Sequence, residues 1–311
     1  MKEKIGFLTW ILGTGLLFFD PSLLGPYGSL LLWSVCQQAV LALSYSFLGG
    51  MGGELHLGHG VFFGLGAYMS GILLQAGLPW WLALLAAGAA GTLLSRGLAP
   101  FLVRLSGGDF AVSSLCVALF AGVLARNLEE LTGGVAGISV PAIPREVPYF
   151  CNLVLLGAAL LVHRRLIHSS WGRGIRATGM DSTAAVHLGV PGKSLRTQAL
   201  LLGSSLASLA GGIYPLQSGY LSPESAFGLE VLLSPVVAVL LGGSASSWGP
   251  LWGAALLAIL QELILTGLPG KTPLAMGLFL MVSGLRAAKE LPGWQNNKEL
   301  FTFKHSKGDA S

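Results

Sequence analysis

The sequence predicts an all-α, polytopic membrane protein with about ten transmembrane helices, some of them short or broken. Three observations favour this class. Hydrophobic residues make up 53% of the 311 residues, charged residues only 10%, and the mean hydropathy is +0.70. The 45 glycines agree with it, because small residues let transmembrane helices pack closely. In such a chain the net charge of +4 reflects loop topology rather than affinity for nucleic acid.

Apolar segments alternate with polar connections along the chain, and their lengths suit membrane spans. We place spans at about residues 5–19, 28–48, 57–75, 79–103, 110–128, 149–167, 197–217, 228–243, 249–266 and 272–288. Asp20-Pro21 follows the first segment where a signal peptide would have a small-residue cleavage site, so we interpret that segment as an uncleaved span. Residues 1–290 are predicted to form one transmembrane domain. The polar tail at 291–311 is predicted to be disordered.

The basic loop at residues 163–196 is the longest polar interruption, and it orients the other segments. It carries six of the 18 Lys and Arg residues, Arg164, Arg165, Arg173, Arg176, Lys193 and Arg196, against one acid, Asp181. Short loops rich in Lys and Arg stay in the cytoplasm, which with ten spans places both termini there. Only Arg126, Arg145 and Lys271 then lie outside.

A short exposed helix is predicted inside this loop. Asp181 or Ser182 is a candidate N-cap, and Gly189 is a candidate stop before Pro191. Between them lies an apolar run of Ala184, Ala185, Val186 and Leu188. A solvated loop that only fixes the topology is the alternative from the residues alone.

Two spans, 57–75 and 228–243, are short or interrupted by glycine and proline. Helical backbone is broken at membrane depth only where protein or a water-filled cavity satisfies the freed polar groups. The two segments occupy comparable places in the two halves of the chain, which indicates a weak internal repeat. Gly58, Gly60, Gly64 and Gly66 recur on one side of the first and leave a strip that another backbone can approach.

The histidines offer a possible metal site that we do not favour. His56 and His59 stand three residues apart near Glu54. We interpret them instead as a polar helix entry, hydrogen-bonded to backbone near the membrane interface. His163, His168 and His187 lie in the basic loop without acid or cysteine partners, and we expect them to be solvated.

Cys36, Cys116 and Cys151 lack CxxC spacing, so they predict packing residues rather than a metal site or a disulfide. Two stretches imitate a phosphate-binding loop, at 192–194 and 270–272. The full motif requires an earlier glycine where this chain has His187 and Leu265. Any ATP hydrolysis must therefore come from another chain.

Five ordered blocks resemble one family. Residues 55–68, LHLGHGVFFGLGAY, resemble the LGHxxFFGxGAY segment of the LivM-type permeases of branched-chain amino acid ABC importers. The resemblance continues through residues 131–144, 169–190, 205–233 and 239–264. It implies an ABC importer permease fold, a ten-helix bundle in the bacterial inner membrane.

The resemblance also implies partners. Such subunits pair with a second, LivH-type permease, bind two cytoplasmic ABC ATPase subunits and receive substrate from an extracytoplasmic substrate-binding protein. The chain would then be a transport subunit for branched-chain or other apolar amino acids, with no catalytic residue, cofactor or metal of its own. Urea, amides or a sugar are the alternative substrates.

Two sets of candidate site residues follow. The segment at about 168–196 matches the family's cytoplasmic coupling loop, whose short helix docks on the ATPase with Ala184, Ala185 and Leu188 as its apolar face. The ATPase-coupling set is Gly172, Arg173, Arg176, Asp181, Ala184, Ala185, Leu188 and Gly189. We place the translocation path along the broken segments, with His59, Phe62, Phe63, Gly64, Tyr68 and Pro235. The chain departs from the family pattern at Gly179-Met180, where a more charged pair is common, and at His56, where serine is usual.

Two other classes of protein stay open from the residues. A stand-alone secondary transporter or channel would place ionisable residues near mid-membrane, whereas spans five, six, seven and ten have no charge in their central turns. A membrane enzyme would need convergent acids, bases or metal ligands, which the scattered histidines do not supply.

Overall fold

The computed structural model describes residues 25–244 and 246–267, together with positions 277 and 281. The predicted span at 5–19 and the tail at 291–311 lie outside the described residues. So does the predicted span at 272–288, apart from Gly277 and Met281, which are helical.

Twelve α-helices, two short helical turns of other types and two short strands make up the described part of the chain. In order they are α1 Gly25–Tyr45, a π-helical turn Ser46–Gly50, α2 Gly60–Gln75, α3 Trp80–Leu102, α4 Gly107–Asn127, α5 Glu129–Thr132, a 3-10 turn Gly134–Ala136, β1 Ile138–Ser139, α6 Glu146–Ile167, α7 Ser170–Met180, α8 Ser182–His187, α9 Gly192–Ser218, β2 Tyr220–Leu221, α10 Pro223–Phe227, α11 Leu229–Gly242 and α12 Trp248–Gly267.

Six stretches among the described residues are long and apolar enough to cross a membrane. They are residues 27–50, 80–102, 107–127, 146–167, 192–218 and 223–242. Helix α2, with 16 residues, is shorter than the roughly 20 residues that a bilayer core requires. The all-α polytopic class is confirmed, while the total of ten spans stays a prediction.

Helix α9 is the centre of the bundle and packs against α1, α2, α3 and α6. Its contact with α2 is close because glycines face backbone on both sides. A Cβ on Gly66 would overlap the carbonyl oxygen of Ser208, and a Cβ on Gly211 would overlap that of Phe63. The predicted placement of the four glycines on one side is wrong, because Gly66 faces α9 whereas Gly58, Gly60 and Gly64 face α4, α11 and α10. Small residues here let the segment pack closely against several elements.

A two-stranded antiparallel sheet closes the end of the bundle opposite the basic loop. Ile138 pairs with Leu221, and Ser139 pairs with Tyr220. Helix α6 runs from this sheet to the basic loop, and α9 runs back from the loop to the sheet. The sequence pattern indicated only polar or Gly- and Pro-rich connections here, because two-residue strands are too short to show a periodicity.

Candidate functional site

The basic loop folds into two helices, α7 and α8, joined at Asp181. The Ser169 side chain accepts a hydrogen bond from Gly172 N at 3.2 Å and begins α7. Asp181 Oδ1 accepts from Thr183 N at 2.9 Å and from Ala184 N at 3.0 Å and begins α8. The predicted N-cap at Asp181 is confirmed, and Gly189 follows the helix with a positive φ of 78°. Sequence reasoning missed the longer helix α7.

Two arginines of the loop brace it against the end of α6. Arg173 Nη1 donates to the carbonyl of His168 at 3.0 Å, and Arg176 donates to the carbonyls of Gly172 and Ile167. Gly172 packs so closely on this turn that a Cβ would overlap the carbonyl oxygen of Leu166. These predicted coupling residues therefore fix the position of α7 relative to α6.

Apolar side chains are exposed on and beside these two helices, among polar ones. Met180, Val186 and Leu188 are 89%, 64% and 82% exposed, and Ala184 is exposed beside them. Ala185 is only 2% exposed and faces the interior of the chain. Its predicted place on the docking face is wrong, because helix α8 turns this residue towards α7 and α9, against which it packs.

The irregular segment at residues 51–59 buries both of its histidines, whereas Gly53 and Leu55 are exposed. His56 and His59 are each 2% exposed, and a hydrogen bond of 2.8 Å joins His59 Nε2 to Ser44 Oγ. The His56 ring lies 5.2 Å from the Phe110 ring and 5.3 Å from the His59 ring, centroid to centroid. We expected partners on the backbone near the membrane interface, but the two rings pack among aromatic side chains and Ser44.

The six predicted path residues are all buried in the subunit, in or next to α2 and in α11. The Tyr68 ring stacks on Phe227 with centroids 5.9 Å apart, and a Cβ on Gly64 would overlap the same ring. Pro235 is buried within α11. In this conformation these residues position the short helix, and their lining of a path stays a prediction.

His163 is buried, so its predicted solvation is wrong. Its Nε2 lies 3.0 Å from Ser46 Oγ in the π-helical turn, and its Nδ1 lies 3.0 Å from Ser247 Oγ before α12. His168 and His187 are exposed as predicted. A signal was present: His163 shares a helical face with the buried Leu156, Leu160 and Ile167.

A nearly buried ion pair also escaped sequence reasoning. Arg196 Nη2 lies 2.7 Å from Glu54 Oε1, with side chains 11% and 14% exposed. The same nitrogen donates to the Leu105 carbonyl at 2.8 Å. Glu54 Oε2 accepts from Gly107 N at 3.3 Å. The pair therefore joins the irregular segment, the turn between α3 and α4, and the start of α9.

These features define a class of protein: a polytopic helical membrane protein with a glycine-rich broken segment and a basic two-helix loop at one end. The family can then be stated. The chain belongs to the permease components of branched-chain amino acid transport systems, since the sequence model of that family matches residues 29–284. The resemblance predicted from the five sequence blocks is confirmed.

Curated relatives agree with this family. The chain is 29% identical over 264 residues to the high-affinity branched-chain amino acid transport system permease protein LivM of Escherichia coli (strain K12), covering 72% of this chain and 60% of that protein. It is 28% identical over 213 residues to the autoinducer 2 import system permease protein LsrC of Salmonella paratyphi B (strain ATCC BAA-1250 / SPB7), covering 65% and 60%. The chain thus spans less than two thirds of the length of these relatives. No solved structure matches it.

Proposed function

We propose that this chain is the transmembrane permease subunit of an ATP-driven ABC importer, and that it translocates branched-chain or other apolar amino acids. The observation that carries the proposal is the surface of α7 and α8. Met180, Val186 and Leu188 are exposed there within the chain's most basic loop. Exposed apolar side chains on short helices are suited to a groove on a partner protein.

The proposed assembly has this chain beside a second, LivH-type permease, with two ATPase subunits on the side of α7 and α8 and a binding protein on the opposite side. Ten spans would place both termini with the ATPases. The split of basic residues supports this orientation, because the loop that carries α7 and α8 is rich in arginine.

The mechanism follows from how the loop is attached. ATP binding on the partner moves α7 and α8, and the arginine contacts with the end of α6 transfer that movement to the bundle. Access then alternates around the short helix α2 and the proline-containing α11, whose breaks need protein or cavity partners for their backbone.

The test is Leu188→Glu in the co-expressed transporter. Leu188 is 82% exposed, so the variant should insert and fold normally. Removing a leucine from a docked contact loses about 1.5–3 kcal/mol, and a charge left unpaired there adds to the cost. We expect loss of ATPase co-purification and of ATP-dependent leucine uptake.

The matched control is Thr183→Glu, which places the same charge on an exposed polar position of α8. It should leave both readouts near wild type, because an acid is favourable in the first turn of a helix. Full uptake by the Leu188→Glu chain in vesicles without any ATPase would overturn the proposal and favour a secondary transporter or channel.

A second candidate substrate follows from the relatives whose names refer to autoinducer 2. The family's permeases therefore differ in cargo, and urea, amides or a sugar stay alternatives to amino acids. Uptake of labelled leucine is measured in the presence of each unlabelled solute, and the solutes that reduce it are identified as substrates. Competition by a sugar but not by valine or isoleucine would replace the amino acid assignment.

A further inference from the structure

The irregular segment at 51–59 is in direct contact with the basic loop. Glycine backbones touch where the two meet: a Cβ on Gly179, at the end of α7, would lie 2.5 Å from the carbonyl oxygen of Gly52. A Cβ on Gly53 would lie 3.6 Å from the carbonyl oxygen of Gly179. Because no side chain lies between the two backbones, neither can move towards the other without displacing it.

Helix α7 is also packed against the start of α9. A Cβ on Gly174 would lie 2.8 Å from the Leu195 side chain, and one on Gly192 would lie 2.8 Å from that of Thr178. Arg196 follows in the next turn of α9 and reaches back to Glu54. The segment 51–59 is therefore joined to the unit formed by α7 and the start of α9 in two ways. One is the backbone contact of Gly52 with Gly179, and the other is the ion pair of Glu54 with Arg196.

Additional contacts hold the ion pair in place. Both side chains are mostly removed from water, and each makes a further hydrogen bond to backbone, Arg196 to Leu105 and Glu54 to Gly107. The Arg196 guanidinium also lies 6.0 Å from the centre of the Phe110 ring. Removing one member of such a pair leaves the other charge uncompensated in a low-dielectric site.

We infer that Glu54 and Arg196 are positioning residues that, with the contact between Gly52 and Gly179, make residues 51–59 and helix α7 move as one unit. The segment continues directly into α2, so movement of the coupling loop reaches the short helix without passing through the whole bundle. This inference rests on the proposed function for its role in transport. The mechanical link itself does not depend on that function.

The first experiment uses the purified full chain in lipid nanodiscs. Hydrogen–deuterium exchange is measured for Glu54→Gln and for a matched control, Glu224→Gln. The control removes the same charge from a pair of similar length, Arg126–Glu224 at 2.8 Å, whose side chains are 52% and 75% exposed. Exposed pairs contribute little to stability, so the control should leave exchange at wild-type rates.

In Glu54→Gln we expect amide exchange to rise together at 51–59 and at 170–180, by about tenfold or more, because a charge-assisted hydrogen bond is lost. Arg196→Lys keeps a cation that can reach the carboxylate, so it should give an intermediate rise in amide exchange. This variant also tests the inference if Glu54→Gln folds poorly. A rise confined to 51–59, or no rise, would overturn the inference.

The second experiment uses the assembled transporter. Glu54→Gln should still bind the ATPase and hydrolyse ATP, while leucine uptake per ATP falls at least about fivefold, as expected for a lost coupling energy. Leu188→Glu should not bind the ATPase at all. Loss of the contact between residues 51–59 and α7 is thus distinguished from loss of the docking surface by whether the ATPase still binds. Wild-type uptake per ATP in Glu54→Gln would refute the link, whereas a wild-type chain that binds no ATPase would refute only the proposed function.

Discussion

The close contact between α2 and α9 gives a prediction whose sign is fixed by geometry. Gly66 faces the carbonyl oxygen of Ser208, and the Ser208 hydroxyl in turn donates to the carbonyl of Ala87 at 2.6 Å. Three helices therefore meet at one serine. Gly66→Ala would place a Cβ well under 3.0 Å from backbone that no rotamer change can move. The helices must separate by about 1 Å, which a densely packed interior resists.

We expect Gly66→Ala to reduce the free energy of unfolding by about 1–3 kcal/mol, the usual cost of overpacking. The control is Gly97→Ala on α3, where an added Cβ meets nothing within 4 Å. That change should be neutral or stabilise the helix by about 0.5–1 kcal/mol. Unfolding in detergent, titrated with sodium dodecyl sulfate, measures both. Equal stability of Gly66→Ala and wild type would show that α2 and α9 do not pack as described.

Three other outcomes are expected. Ala185→Glu buries a charge within the chain and should lower the yield of folded protein measured by size-exclusion chromatography, whereas a well-folded variant would contradict the orientation of α8. His163→Ala removes both side-chain hydrogen bonds and should destabilise the chain by about 1–3 kcal/mol in the same detergent titration, and unchanged stability would show that the two serines are satisfied without it. In a Cys116→Ser background, an impermeant maleimide added to intact cells should label Val135→Cys but not Met180→Cys, both at highly exposed positions, and the reverse pattern would refute the orientation.

Features with a local cause were predictable from the sequence. The Asp181 cap and the stop near Gly189 depend on a few neighbouring residues, and the structure has both. The apolar segments gave the helical class for the same reason, since span length and composition are local properties. The charge pattern located the basic loop, and the glycines located the broken segment.

Features that depend on tertiary contacts were missed or misjudged. The pair of Glu54 and Arg196 joins residues far apart in the chain, and charge patterning along a sequence does not reveal such partners. Ala185 was assigned outward from its apolar neighbours, but in a six-residue helix the buried side is decided by α7 and α9. His163 was judged by its arginine neighbours rather than by its helical face.

The small sheet between β1 and β2 has a consequence for how the protein is made. The Tyr220 hydroxyl donates to the carbonyl of Ala136, 84 positions earlier, and the strands pair beside it. Everything from α6 to α9 lies between these partners, so the ribosome must finish α9 before the first strand has anything to pair with. Closing so long a loop is an entropic cost that earlier helix contacts must already have reduced. The sheet therefore forms late in biogenesis. In chains truncated before Tyr220, the connection that contains β1 should remain accessible to protease after membrane insertion.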